Sequence, residues 1–497
     1  MALYPLGPWI PDLNTLYPGA SAEALNVVPG PSGYSPFPVF ERYADNVDDI
    51  ALGAFSCVSA AGIVYNFAGT ATKLYVAATD GLTWLDATRL VGGDYTTPDQ
   101  NIWTFTQFDD IVLAQNGAAI CQVYTLDVST NFVDDAGIPI ASYAGTVRGF
   151  AVAAKLLNDN RGIAWSAAYD PLDWVPSDET MSDSQHLPDG GDIQAFVGGE
   201  VGIIFQRRSI QRMVFAGPPL TFNFDKISLT LGCWANGSVA AYGDLIFFLA
   251  ENGFHMLRGG QEVSPIGDGK IDLWFRANVN SASLHTMSSA INPAGKTYVV
   301  GFTSNDSTDE KPDTFLVYHW PTGQWSKVNQ RHDLLYQGIT QQGYNLDTID
   351  ALNPDPPNTT GIDGMNFSFD SNIFNTVGAL GLSMFDVGHY NGFFTGEPRS
   401  GAVSTGDLQF TPGRKSLLLG CRPIAEGTTV GINIQDFTRD RLQDSSIAGP
   451  VSPANYRGIV PMRNSGRYHR LRMSIPIGSA WTHMIGIDDL NIIAQSV

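Results

Sequence analysis

Lysine, serine, histidine, cysteine and paired carboxylates are the residues of this 497-residue chain that could carry chemistry, and their spacing decides what they can do. Residues 290–297, Ala-Ile-Asn-Pro-Ala-Gly-Lys-Thr, match a relaxed phosphate-binding loop ending at Lys296 and Thr297. Such a loop works by following a strand and opening a helix, whose N-terminal N–H groups hold the phosphate. Here Tyr298-Val299-Val300-Gly301-Phe302 follows, which is strand composition, so residues 292–295 read as a turn and Lys296 as part of it. The pairs Asp48/Asp49, Asp109/Asp110, Asp134/Asp135 and Asp488/Asp489 could serve acid–base work or calcium. Each stands at a strand edge or turn, and no Asp-x-Asp-x-Asp-Gly loop occurs, so they read as solvated loop carboxylates. The eight histidines form no His-Glu-x-x-His pattern, and no Gly-x-Ser-x-Gly elbow is present. Cys57, Cys121, Cys233 and Cys421 are far apart with no Cys-x-x-Cys pair, which excludes a disulfide scaffold and a zinc ribbon and leaves buried free thiols. We therefore expect no catalytic residues, no metal site and no cofactor.

The elements that would have to position such groups are short hairpins. Residues 74–78 lead through Asp80-Gly81 into residues 82–85, residues 110–114 lead into Asn116-Gly117, and residues 244–249 turn at Asn252-Gly253 into residues 254–257. Asn-Gly and Asp-Gly supply the positive φ of a two-residue turn, and the flanking β-branched and aromatic residues suit strands. Weaker hairpins centre on residues 160–162 and on Arg208, and later ones on Thr322-Gly323 and Asn391-Gly392. Gly81 and Gly117 lie 36 residues apart, and the next 136 residues divide into three intervals of about 45. Four short strands per 40–50 residues is the arithmetic of a β-propeller. The expected fold is all-β: a propeller of six or seven blades over residues 51–397, with inserted loops at about 303–314 and 345–366. Residues 50–56 are expected to pair within the last blade near residues 380–394. Trp84, Trp103, Phe247, Phe248, Trp274 and Trp320 are expected to pack between blades. The sequence Thr79-Asp80-Gly81-Leu82-Thr83-Trp84 is similar to the Asp-box turn of sialidase propellers, but it is one residue short and occurs once.

Composition narrows the function classes. Charged residues make up 15%, against a usual share of about 25%. With 52 Gly and 29 Pro, a helical bundle is excluded. A net charge of −21 disfavours general nucleic-acid binding, which neutralises phosphates with Lys and Arg. The N-terminus shows no basic and apolar signal pattern, and no apolar run approaches a membrane span, so folding in a cytosol is expected. From Pro398 onward basic residues outnumber acidic ones, so the acidic excess lies in residues 1–397. That change marks a boundary near 398. Residues 398–497 carry longer alternating strands and read as a β-sandwich-like domain, while Pro- and Tyr-rich residues 1–50 read as an extended arm. In Tyr468–Ile475 the polar and apolar residues alternate, which places Tyr468, Arg470 and Arg472 on one face. With Arg457, Arg463 and Arg467 they form a candidate assembly interface, since arginine meets carboxylates bidentately.

Three stretches resemble the tail nozzle, or tail hub, proteins of short-tailed bacteriophages. They are Leu25-Asn26-Val27-Val28-Pro29 with Gly33-Tyr34-Ser35-Pro36; residues 192–199 and 206–213, running on to Gly253-Phe254; and residues 466–472 with Trp481 and Gly486-Ile487-Asp488. The resemblance implies a β-propeller, a homohexameric ring and a place at the distal end of the virion tail through which double-stranded DNA leaves without specific binding. It also implies a tail adaptor protein as partner, with tail fibres a further candidate, and synthesis in the host bacterial cytoplasm. The alternative is a carbohydrate-binding or carbohydrate-active propeller of a tail fibre.

Overall fold

The computed structural model describes residues 3–78, 81–340, 380–427 and 431–495. The protein is mostly β, and much of it is built from four-stranded antiparallel sheets that resemble propeller blades. Five such sheets follow one another over residues 53–86, 104–135, 141–186, 193–228 and 240–265. A sixth group of four, residues 288–329, begins a nine-stranded sheet. The seventh sheet joins Leu334–Ile339, Leu380–Phe385 and Tyr390–Pro398 to a strand from the N-terminal region. Its first strand lies against Gly53–Val58 of the first sheet, where Ile339 N–H donates to Ser56 Oγ at 3.1 Å and Asn66 Nδ2 donates to Ile339 O at 3.2 Å. Last sheet thus meets first.

Residues 3–50 do not run as a free arm. They form β1 (Tyr4–Pro5), β2 (Ser21–Leu25), β3 (Val27–Gly30), β4 (Gly33–Pro36) and β5 (Pro38–Asn46). The reason is apolar: Leu6, Trp9, Val27 and Tyr34 are buried, and an arm in solvent would leave them wet. β5 supplies the outer strand of the seventh sheet, pairing Phe394 with Phe40 and Phe393 with Glu41. An early strand therefore closes the last sheet, but it is 38–46 and not the expected 50–56, and Gly53–Val58 instead opens the first sheet. Phe40 and Phe37 pack on Phe394 with ring centroids 5.7 and 5.1 Å away, and this fixes the choice.

The remaining strands make two sheets around residues 401–494. β2 runs parallel to Gln324–Asn329 and antiparallel to Gly401–Thr405, and so extends the sixth sheet through Tyr468–Ile475 and Asn433–Arg439 to Ile447–Pro453. The second sheet runs β3, β4, His483–Ala494, Ser416–Glu426 and Val460–Gly466, with β1 also on His483–Ala494. One hydrophobic core runs unbroken from Phe247 and Trp325 through Val27 and Tyr34 to Leu471, Trp481 and Met484. The change of charge near 398 is therefore not a break in packing.

Hairpin turns fall close to the expected places, with shifts. The third hairpin turns at Leu157-Asn158, leaving Gly162 inside Asp159–Trp165. The fifth turns at Glu251-Asn252, because Gly253 pairs with Ala250. The insert at 304–313 lies between Thr297–Phe302 and Thr314–His319. Thr79 and Asp80 of the Asp-box-like turn, and the loop at 345–366, lie outside the described residues.

Candidate functional site

The six arginine- and tyrosine-centred positions divide by what they touch. Along Tyr468–Ile475, His469, Leu471, Met473 and Ile475 are buried, and Tyr468, Arg470 and Arg472 share the other face. Two of these three are engaged by the chain itself, Arg472 by the N-terminal region and Arg470 by the segment that follows Gly401–Thr405. Arg472 grips Glu23 of β2 bidentately at 2.7 and 3.1 Å. Arg470 reaches Asp407 at 3.2 Å, and Arg439 and Thr15 Oγ1 bind the same carboxylate, whose side chain is 2% exposed. Arg470 and Arg472 are thus internal clamps, a role no pattern within one strand reveals, since Glu23 lies 449 residues away in the sequence. Arg467 lies over the Tyr468 ring, 5.6 Å from its centroid. Arg457 and Arg463 are exposed and form no ion pair among the described residues. The face that remains open is therefore the turn at 455–458 with Val460–Gly466.

Register brings together a constellation that spacing hid. Ser416 Oγ lies 3.1 Å from His469 Nε2, and Asp436 Oδ2 lies 2.9 Å from Nδ1, the connectivity of a nucleophile, base and orienting carboxylate. All three residues are fully buried, and the Phe410 ring covers the imidazole at 5.1 Å. Nε2 also faces the carbonyls of Ser416 and Gly466 at 3.2 and 3.1 Å, so it must carry a proton, while Nδ1 carries one toward Asp436. Burial alone would lower the imidazole pKa, but the bond to Asp436, its charge and the carbonyls outweigh burial and raise it. Both ring nitrogens are engaged within the fold and the three residues are fully buried, so the group ties two sheets together.

Lys296 has φ +50° in the connection between Ser288–Asn292 and Thr297–Phe302, a hairpin with no helix after it. The paired carboxylates serve structure: Asp48 bonds Lys73 at 3.2 Å, Asp134 bonds Arg89 at 2.9 Å and Asp489 bonds Arg422 at 3.0 Å, while Asp110 accepts from Ala60 N–H. All four cysteines are free and buried, and burial pushes the Cys57 thiol up to about 12. Among the described residues no three metal-ligating side chains come together, and no helix is long and apolar enough to cross a membrane.

The aromatic residues pack mostly as expected. Trp103 sits between the first two sheets, over Gly53 and Gly69, where any Cβ would collide with it, and donates to Thr70 O at 2.8 Å. Phe248 meets Phe205 across the fourth and fifth sheets, and Phe247 and Trp320 meet across the fifth and sixth. Trp84 packs on Phe385 of the seventh. Trp274 differs. It lies on α1 (Asp272–Asn278), against Trp9 at 5.1 Å, because Asp12 caps that helix by accepting from the Leu273 and Trp274 N–H groups.

Two neighbouring cavities of 570 and 430 Å³ share Asp99, Gln100, Asn101 and His285. Their walls draw on the starts of the first strands, or the residues just before them, in all seven sheets: Leu52, Ile102, Tyr143, Gln194, Asn236, Ser288 and Leu334. They therefore open where the sheets converge. Two long connections border them, residues 87–103 and the insert at 304–313, the first held by Thr97 N–H on Ala71 O and Asn101 Nδ2 on Asn116 O.

A scan against protein-family models and a search of curated protein sequences each find no match. Among solved structures, the chain is similar to the extracellular domain of the putative one-component system BT4673 from B. thetaiotaomicron, at 10% identity and TM-score 0.39, over 81% of this chain and 43% of that one. It is also similar to the Cps50 (Swd1) β-propeller domain of Myceliophteria thermophila, at 10% identity and TM-score 0.37, over 60% and 92% of the two chains. The computationally designed Ika8 protein matches at 10% identity and TM-score 0.36, over 71% and 98%. The chain spans less than half the length of the BT4673 domain, and likenesses at these TM-scores carry nothing about ligand or activity.

Proposed function

We propose that this chain is a structural subunit of a short-tailed phage virion, a tail nozzle or hub protein that assembles as a homohexameric ring around the path of exiting double-stranded DNA and docks to a tail adaptor. In this reading the seven four-stranded sheets are the blades of a seven-bladed propeller, closed by β5, and residues 401–494 with β1–β4 are a sandwich-like module. The observation that carries it is where the resembling stretches fall. Residues of the first and third, from opposite ends of the chain, share one core, Val27 and Tyr34 with Leu471, Trp481 and Ile487, and β4 pairs through Tyr34 with His483–Ala494, the strand that carries Gly486-Ile487-Asp488. A Cβ on Gly33 would lie 2.1 Å from Met484 O, so the glycine of Gly33-Tyr34-Ser35-Pro36 is required by that approach. The second stretch runs through Ile193–Val197, Gly202–Gln206 and Ile210–Phe215 of the fourth sheet and reaches Gly253-Phe254, which open the third strand of the fifth. What resembles the family is thus the framework of both modules.

Charge is consistent with this role. A net −21 keeps a phosphate backbone off the wall at close range, within the roughly 8–10 Å over which salt leaves charge unscreened. Exposed Arg457 and Arg463 offer unpaired cations to acidic neighbours or to the adaptor. The subunit needs no enzyme activity for this work. Negative-stain imaging of the purified protein, mixed with tail adaptor, tests the proposal. Closed rings with an open centre are expected; a protein that stays monomeric at every concentration and ignores the adaptor would overturn it.

A further inference from the structure

We propose that the 430 Å³ cavity at the convergence of the sheets is a binding site for a small polar ligand bearing a carboxylate or phosphate, with Lys155 and Arg207 as its cationic contacts and His285 beside them. The inference does not rest on the tail-nozzle reading.

Its first support is composition against background. In a chain with 28 basic and 49 acidic residues, this cavity collects a lysine, an arginine and a histidine against one carboxylate, Asp99. Amides, including Gln194 and Asn236, make up much of the rest, which suits hydroxyl and acid oxygens on one ligand.

The second support is Lys155 itself. It stands at φ +58°, a left-handed conformation that strains a non-glycine residue. The ladder between Phe150–Leu156 and Asp159–Trp165 shifts register there, an irregularity of the kind that re-aims a side chain. Its ammonium is half-buried and makes no hydrogen bond or ion pair among the described residues; the Tyr143 ring lies 5.9 Å away. A desolvated cation without a carboxylate is unfavourable unless something supplies the negative charge. Burial holds its pKa below the usual lysine value, with Asp192 opposing weakly from outside the cavity. Arg207 is fixed by Glu251 at 3.2 Å and by Trp234 O at 3.3 Å, so its guanidinium is held at the rim with donors to spare.

The test is titration of the full-length protein with glucuronate, inorganic phosphate and glucose, read by calorimetry and by tryptophan fluorescence, since Trp234 lines the cavity. Saturable binding of glucuronate or phosphate, with none of glucose, is expected. Glucuronate alone identifies a carboxylate ligand, phosphate alone a phosphate ester, and both a general anion site. Lys155→Gln is expected to weaken binding at least about tenfold, the cost of one charge-assisted hydrogen bond. Exposed His285→Glu should weaken it too and serves if Lys155→Gln fails to fold. Glucose binding as well as glucuronate, no anion binding at millimolar concentration, or folded variants of both positions that bind like the parent would each overturn the proposal.

Discussion

Arg470→Glu separates an internal clamp from an assembly surface. The Asp407 carboxylate that Arg470 meets at 3.2 Å is 2% exposed and is shared with Arg439, whose side chain is 14% exposed. Reversal removes one of two cations and brings a second carboxylate near the first. At an effective dielectric constant near 20, two like charges about 4 Å apart repel by about 4 kcal/mol. Breaking a buried pair from one side costs about 3–5 kcal/mol, and Arg439, which stays on Asp407, keeps the loss toward the lower end. Arg472→Glu should cost less, about 1 kcal/mol, because Arg472 and Glu23 are each about a third exposed. The assay is urea unfolding followed by near-ultraviolet circular dichroism, with limited proteolysis of the N-terminal strands, since Thr15 shares the Asp407 site. Arg470→Glu should lower the unfolding midpoint and expose residues 3–25 to cleavage before any other segment. An unfolding curve within about 0.5 kcal/mol of the parent, the range of ordinary surface changes, would refute the reasoning.

Arg457→Glu with Arg463→Glu should leave the monomer's unfolding unchanged and weaken self-association or adaptor binding, measured by analytical ultracentrifugation at low and high salt; unchanged assembly would mean that this face is only solvated. Trp103→Ala should cost about 3–5 kcal/mol in apparent stability, because the residue is 2% exposed and its ring fills the gap over Gly69. His332 is buried and its pKa is pushed down to about 4 by desolvation, so the unfolded chain takes up a proton near pH 6.5 that the fold refuses; stability should fall by about 3 kcal/mol between pH 6.5 and 4, and His332→Phe should flatten that slope in pH-dependent unfolding. His469 has the opposite sign: its pKa is raised in the fold, so its contribution is full below pH 6.5 and is lost as pH rises through the folded value, a dependence that His469→Gln should abolish.

Local chemistry made much of this legible in sequence. Hairpins with alternating or continuous apolar strands stand where their turn residues put them, to within a few positions, because φ preference and burial act over four to ten residues. Lys296 was readable as a turn because the residues after it can only be a strand. Tyr468–Ile475 matches its alternation residue for residue. What the tertiary structure alone decided is long-range pairing. Nothing within residues 1–50 says that β2 will lie between Gln324–Asn329 and Gly401–Thr405, or that β5 will complete the seventh sheet, because a strand's edges are chemically alike and the choice depends on which distant apolar faces need covering. Arg470 and Arg472 were visible as one cationic face, but their partners Asp407 and Glu23 come from elements brought alongside only by that threading. Ser416, Asp436 and His469 meet for the same reason, as do the walls of the cavity around Lys155: register places them, and register is set by the whole fold.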